Sequence, residues 1–345
     1  MFRTARRALA LSLIAALVPA AAAAAAPTTT TTTSTTTGSS TTTTTTTAVP
    51  QPTPTAGSAS LKLLDVFTVR GQPITVTGRG VHAVGVVRPY VAGQSVVLEV
   101  TLGHRVIKHE RLRVFPYHGR SGRFAAKWST PRGGHVTVSV GHVRTAAQQR
   151  FTATTRYVAV VPRAGFGSAG PFVQLIQQRL SDLHLFIRRS GVYDSSTGWA
   201  LDAYHRLLGW GHSQTLGPAI VNALLDGKGR FNIRLPRQGH HVEGNLARQL
   251  LAIADGSQVR WIFPISSGKP STPTILGRFQ IYRRDPGYLP DGMYFSNFFI
   301  GGYAIHGFNP APDYPASHGC MRVPIQDAIF IYTHVTFGNW VDTYY

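Results

Sequence analysis

Ser317-His318-Gly319-Cys320-Met321-Arg322, with Pro324 two residues on, is the run from which the fold and chemistry of this chain unfold. Cys320 is the sole cysteine in 345 residues, so no intramolecular disulfide can form, and an idle thiol on an exported chain is an oxidation liability. Past it, Ile325, Ala328, Ile329 and Tyr332 recur at helical spacing, and Pro324 suits a first helical position. The pattern predicts Cys320 on a turn just ahead of a helix. A thiol there would feel the positive end of the macrodipole, and a neighbouring imidazole would take its proton, so that thiolate is populated at neutral pH. Gly319 lets the backbone pass close to a substrate. The successive N–H groups of His318, Gly319 and Cys320 would form a nest for the oxyanion of a tetrahedral intermediate. A lone cysteine is also commonly a small buried hydrophobe. With His306 and His318 it could instead ligate zinc, which needs a fourth group or water, and no C-x-x-C or H-x-x-x-H spacing accompanies them.

Upstream of that run, from about Asn232, the chain reads as strands. Leu250 to Ala254, the pair Asp255-Gly256, and Val259 to Ile265 give its strongest short-range hairpin signal. Over residues 161–228 the period is helical instead. Val173, Ile176, Leu180 and Leu183 fall on one face, as do Ala200, Ala203, Tyr204 and Leu207; Asp194-Ser195-Ser196 supplies capping oxygens, and Leu216 to Leu225 offers a third helix. Residues 59–160 alternate with period two: Val96, Leu98, Val100 and Leu102, then Val136, Val138 and Val140, point to half-buried strands of an Ig-like β-sandwich. The histidines scattered there, His104, His109, His118, His135 and His142, fit no ligand set and read as solvated strand residues. Residues 27–58 are almost wholly Thr, Ser, Ala and Pro, a disordered linker with too little apolar surface to fold. Residues 1–26 join Arg3, Arg6 and Arg7 to an apolar run ending in small residues, the pattern of a cleaved signal peptide. The expected fold class is therefore multidomain and mainly β, with a small α module between the sandwich and a C-terminal mainly-β domain over residues 229–345.

Lys plus Arg number 34 against 14 Asp plus Glu, a formal charge of +20, which draws the molecule toward polyanions. For an exported chain these are the carboxylates and phosphates of a cell envelope. No Cys/His zinc spacing or RNP-like aromatic signature speaks for nucleic acid.

Taken as a string, Ser317-His318-Gly319-Cys320 with Ile305-His306-Gly307 upstream resembles the L,D-transpeptidase catalytic family (YkuD-like). Ser267-Gly268-Lys269, Thr272-Pro273, Gly277-Arg278-Phe279 and Met293-Tyr294 fall in that family's order. The stretches from Val173 to Leu180, Gly191 to Thr197 and Ala200 to His205 are similar to the three-helix type-1 peptidoglycan-binding module. The first resemblance implies Cys320 as nucleophile, His306 as general base oriented by the Gly307 carbonyl, and His318 with Gly319 shaping the oxyanion site. It implies Ser317 in support, Tyr294 lining the donor pocket, and Arg322 gripping a substrate carboxylate or making a structural ion pair.

The implied reaction is attack of Cys320 on the third, L-centred residue of a tetrapeptide stem, release of D-alanine, and resolution of the acyl-enzyme by a neighbouring stem's amine to give a 3→3 cross-link. No metal or organic cofactor is implied. The implied partners are peptidoglycan stem peptides and glycan, anionic envelope polymers, and carbapenem inhibitors, engaged by an exported monomer in the cell wall. Water in place of the amine would make an L,D-carboxypeptidase, and a protein amine would make an attachment enzyme. An inert Cys320 would leave a non-catalytic wall-binding protein. Ten residues between His306 and Ser317 form a short link that bears on the acceptor side.

Overall fold

The computed structural model describes residues 53–345. The expected signal peptide, and the Thr/Ser/Pro tract as far as residue 52, lie outside the described residues. The end of that tract is ordered earlier than its composition indicates. Thr55 N donates to Ala147 O at 3.0 Å and Thr55 O accepts from Gln149 N at 2.9 Å, so the chain is pinned before its first strand begins.

Ten strands follow: β1 (Ser58–Leu64), β2 (Phe67–Val69), β3 (Gln72–Val76), β4 (Gly80–Arg88), β5 (Ser95–Leu102), β6 (Arg105–Arg113), β7 (Phe115–Tyr117), β8 (Ser121–Ser129), β9 (Gly134–His142) and β10 (Phe151–Val160). They form two sheets, of order β1-β4-β8-β7 and β2-β3-β10-β9-β5-β6. Val81 and Phe124 from one sheet share a core with Leu98, Val138 and Tyr157 from the other. Alternation produces this directly, since successive strand side chains point to opposite faces: β5 buries Val96, Leu98 and Val100 and leaves Val97 and Glu99 partly exposed. His142 departs from the solvated reading. It is 7% exposed, stacks on Phe151 at 5.0 Å, and its Nδ1 lies 3.1 Å from Ser95 O, so this histidine is a core residue.

Three helices come next: α1 (Pro171–Asp182), α2 (Ser195–Leu208) and α3 (Pro218–Leu225). Asp194 caps α2 by accepting from Thr197 N at 3.0 Å, and Gly209 ends it at φ +75°, a left-handed terminus that suits glycine. The C-terminal part comprises β11 (His240–Asn245), β12 (Leu250–Asp255), β13 (Gln258–Pro264), β14 (Gly277–Gln280), β15 (Arg283–Tyr288), β16 (Tyr294–Ile300), β17 (Tyr303–Phe308), β18 (Met321–Pro324), α4 (Ile325–His334) and β19 (Trp340–Tyr344). Its sheets have the orders β13-β12-β11-β19-β14 and β15-β16-β17-β18.

β12 and β13 are the hairpin read from Asp255-Gly256, with Asp255 opposite Gln258. Both faces of β12 are covered. Leu250 and Ala252, with Ile262 of β13, join a core shared with Ile176, Leu201 and Leu224 of the three helices and with Val69 and Ile74 of the first half. Leu251 and Ile253 join a second core with Ile305, Met321 and Val323. The helices are thus packed onto the strands that support β17 and β18. α4 buries Ala328 and Ile331, while Ile329 is 47% exposed, so its inward face is turned away from the one its apolar spacing had indicated. Among the described residues no helix is long and apolar enough to cross a membrane.

Candidate active site

β17 and β18 run parallel, with Ile305 beside Met321 and His306 beside Arg322. In such a ladder paired residues share a face and their neighbours take the other. Ile305, Met321 and Val323 are fully buried in the core beneath α4. Ala304, His306 and Arg322 therefore occupy the opposite face. Cys320, immediately before β18, joins them: Ala304 N donates to its Sγ at 3.4 Å, and the thiol donates to Gly302 O at 3.7 Å. Cys320 is half-buried rather than fully enclosed.

The His306 ring is 2% exposed, and its Nδ1 lies 2.9 Å from Gly307 O. A carbonyl only accepts, so Nδ1 carries the proton and Nε2 keeps its lone pair. Burial lowers the His306 pKa from 6.5 to about 4, with Arg322 adding to the shift and the Gly307 bond and Asp291 opposing it. Burial likewise pushes the Cys320 thiol up; the Ala304 N–H and Arg322 pull it down and Asp291 raises it. Both groups thus sense the same arginine and the same aspartate, and both are held toward their neutral forms.

This corrects the expected electrostatics. Four residues of β18 separate Cys320 from α4, and the helix field falls off within a turn. No standing thiolate is supported by a macrodipole here. Among the described residues no hydrogen bond joins Cys320 to His306, and no three His, Cys, Asp or Glu side chains gather as a metal site.

The loop leading to Cys320 is tied from within. Ser317 is wholly buried; its Oγ donates to Cys320 O at 2.6 Å and accepts from Gly319 N at 3.0 Å. Its own backbone bonds Ser267 O and Lys269 N, and its carbonyl also accepts from Thr272 Oγ1 at 3.1 Å. Ser317 is therefore walled off from a substrate, and the part it plays in support is to fix the loop's shape. Because the Gly319 N–H is taken, the three-amide nest reduces to His318 and Cys320. Gly319 has φ +123°, and a Cβ there would meet Tyr303 ring carbons at 2.3 Å. Contact with Tyr303 thus requires this glycine, where substrate approach had been the expected reason.

Gly307 plays a comparable part on the other face. A Cβ at Gly307 would strike Ala328 Cβ at 2.7 Å and Tyr294 Cδ1 at 3.3 Å. The Tyr294 ring lies on that α4 side, 4.4 Å from the Tyr288 ring, and so does not line the face bearing Cys320 and His306. His318 is exposed, with Nε2 3.2 Å from Lys269 Nζ. Arg322 stacks over Phe308 at 3.9 Å and reaches Ala316 O at 3.4 Å. Among the described residues it has no carboxylate partner, which removes the structural ion pair and leaves a cation facing the thiol.

Tyr303, Ala304 and Asp291 were not singled out in the sequence. Gly301-Gly302 and Asp291-Gly292 carry turn signals, but nothing local says that the following residues face a cysteine.

The YkuD family, described as an L,D-transpeptidase catalytic domain, matches residues 239–342. An L,D-transpeptidase structure from Xylanimonas cellulosilytica is 31% identical over 52% of this chain and 97% of its own, with a TM-score of 0.48. One from Stackebrandtia nassauensis is 18% identical over 53% and 95%, at 0.35. One from Mycobacterium smegmatis is 13% identical over 81% and 98%, at 0.28. No curated protein matches the chain. The matched residues contain β17, the thiol loop and β18, and the chain belongs to the L,D-transpeptidase family through this catalytic domain.

Proposed function

We propose that the protein is a cysteine-dependent L,D-transpeptidase that forms 3→3 cross-links in peptidoglycan. The observation that carries this reading is the half-buried Cys320 on the same sheet face as His306, whose Nε2 is left free to accept a proton by the Nδ1 contact to Gly307 O. With both groups neutral at rest, the thiol proton passes to Nε2 as sulfur attacks. A carbon–sulfur bond forms at the L-centred residue of the donor stem, and the carbonyl π electrons move onto oxygen. The amides of His318 and Cys320 receive that charge. Collapse breaks the carbon–nitrogen bond, and His306 returns its proton to the leaving D-alanine amine. An acceptor amine then attacks the thioester, losing a proton to His306; the carbon–sulfur bond breaks, and the proton returns to sulfur.

Arg322 supports an anionic substrate, because it faces the site without a protein carboxylate to neutralise it. We extend the proposal to the remaining segments. Residues 1–26 direct export to the cell wall and are removed, residues 27–58 act as a tether, and the module over 59–160 acts as a β-sandwich spacer. The helical module over 161–228 contacts peptidoglycan, and the basic surface is drawn to anionic envelope polymers.

Incubation with a defined tetrapeptide, followed by mass analysis, tests the reaction. Cross-linked dimer supports transpeptidation, trimmed monomer alone means an L,D-carboxypeptidase, and unchanged peptide removes the enzyme. Intact-mass analysis after exposure to a carbapenem tests the nucleophile: the expected adduct maps to Cys320 and is absent from Cys320→Ala.

A further inference from the structure

Helix α2 carries a buried charge that neither the proposed catalytic steps nor a surface binding module requires. Asp202 and Arg206 lie one turn apart, 2.6 Å between Oδ2 and Nη2, with side chains 2% and 4% exposed. The guanidinium points out of the helical bundle into the C-terminal part. Nη1 donates to Gln249 O at 2.9 Å and to Ile265 O at 2.8 Å, and Nη2 donates to Asp313 O at 3.1 Å. In return, Arg248 Nη1 donates to Arg206 O at 3.1 Å.

These acceptors stand at the roots of the thiol loop. Ile265 leads into Ser266 and Ser267, whose groups hold Tyr314 O, Ala316 N and Ser317 N. Gln249 extends the tie, since its Nε2 donates to Ser267 Oγ at 2.7 Å and its Oε1 accepts from Ser267 N at 2.9 Å. Asp313 opens the short approach to Ser317, which in turn bonds Gly319 N and Cys320 O. One planar fork therefore spans both strands of backbone that converge on Cys320. Both terminal nitrogens of the fork are used, while Nε and Asp202 Oδ2 have no hydrogen-bond partner among the described residues; a charge this deeply buried is tolerated when it is paired, and removing one partner leaves the others unsatisfied.

We propose that Arg206, held by Asp202, is a positioning residue that sets the backbone of the Asp313–Cys320 loop, making the helical module part of the catalytic apparatus in addition to its contact with peptidoglycan. Its effect on catalysis rests on the transpeptidase reading above, while the clamp itself does not. A lysine cannot replace the fork, because a single ammonium cannot reach backbone oxygens on separate segments with planar geometry.

The test uses the full chain, as parent, Arg206→Ala, Arg206→Lys and Asp202→Asn. Hydrogen exchange of peptides covering 309–320 reads the clamp without reference to activity. Exchange is expected to rise about tenfold or more in Arg206→Ala and less in Asp202→Asn, with peptides of α4 unchanged. Carbapenem acylation of Cys320 reads the consequence: a drop of about tenfold in the saturating rate, with little change in the half-saturating concentration, and incomplete recovery in Arg206→Lys. Alkylation by iodoacetamide, which needs the thiolate but no oxyanion amides, is expected to change less than about threefold. Should Arg206→Ala fail to fold, the isosteric Asp202→Asn and Arg206→Lys carry the same comparisons. Parent-like exchange over 309–320 in folded variants would overturn the clamp, and faster exchange with parent-like acylation would overturn its catalytic role. A parent that exchanges as expected but takes no carbapenem would sink the enzymatic reading and leave the clamp standing.

Discussion

His306 and Cys320 reach the same sheet face from adjacent strands, but they are held there in different ways. β17 is laddered on both sides, to β16 and to β18, and Gly307 lets α4 press close beneath it. The position of His306 is therefore set by backbone pairing and packing, and its desolvation follows. Cys320 lies just outside β18, at the end of a loop with no ladder of its own. Ser317, Ser267, Gln249 and Arg206 hold that loop by side-chain and backbone hydrogen bonds drawn from distant parts of the chain. A strand wall tolerates changes that preserve volume, because packing dominates it. A hydrogen-bonded wall fails when one donor or acceptor is orphaned.

The contrast can be broken from each side. The largest expected effect is on the strand wall: His306→Gln should retain the fold and slow Cys320 acylation by about 10²–10⁴-fold, the range for a lost general base. Parent-like stopped-flow acylation would remove the assignment. Gly319→Ala comes next, driving a methyl into Tyr303 from a left-handed backbone. A loss on the order of 3 kcal/mol is expected from overpacking and strain, measured by urea unfolding, with acylation falling more than ten-fold. Ser317→Ala should cost about 2 kcal/mol by orphaning the Gly319 N–H and Cys320 carbonyl, and it should accelerate hydrogen exchange in the loop while leaving β17 unchanged.

The pH dependence sharpens the same comparison. His306 titrates at 6.5 when free of its environment and at about 4 in the fold, so between those values the unfolded chain binds more protons. Stability from this group is complete above 6.5 and is lost as pH falls toward 4, by up to about 3 kcal/mol. Urea unfolding of the parent and of His306→Gln at pH 7 and pH 4.5 should show the parent losing more. Acylation should likewise show no acid limb at 6.5, since the neutral base persists below it. The smallest expected effect belongs to His318→Ala. That side chain is exposed and hydrogen-bonds with Lys269, while its backbone N–H survives the change, so acylation should stay within about threefold of the parent. A larger loss would assign the imidazole a direct role.

Much of the fold was legible because its signals are local. Val96, Leu98 and Val100 alternate because one face of β5 is covered and the other is wet. Asp255-Gly256 turns because glycine takes the positive φ the hairpin requires, +57° here. β12 reads less cleanly, because helices cover one face and the catalytic core the other, which erases the alternation. Tyr294 was expected to line the donor pocket and lies on the α4 side. Its pairing with Gly307 across β16 and β17 puts both on the face that packs against α4.

By itself, the sequence determined which residues bring chemistry to the site: a lone thiol on a glycine-containing turn, and an imidazole in the Ile305-His306-Gly307 run upstream of it. These depend on residue identity and short spacing alone. Only the tertiary structure decided that both groups rest neutral, that Ser317 and Gly319 serve the loop rather than the substrate, and that an arginine from helix α2 reaches the loop's roots. Desolvation and hydrogen-bond satisfaction are sums over neighbours from remote segments, and no local pattern of residues records which segments will meet.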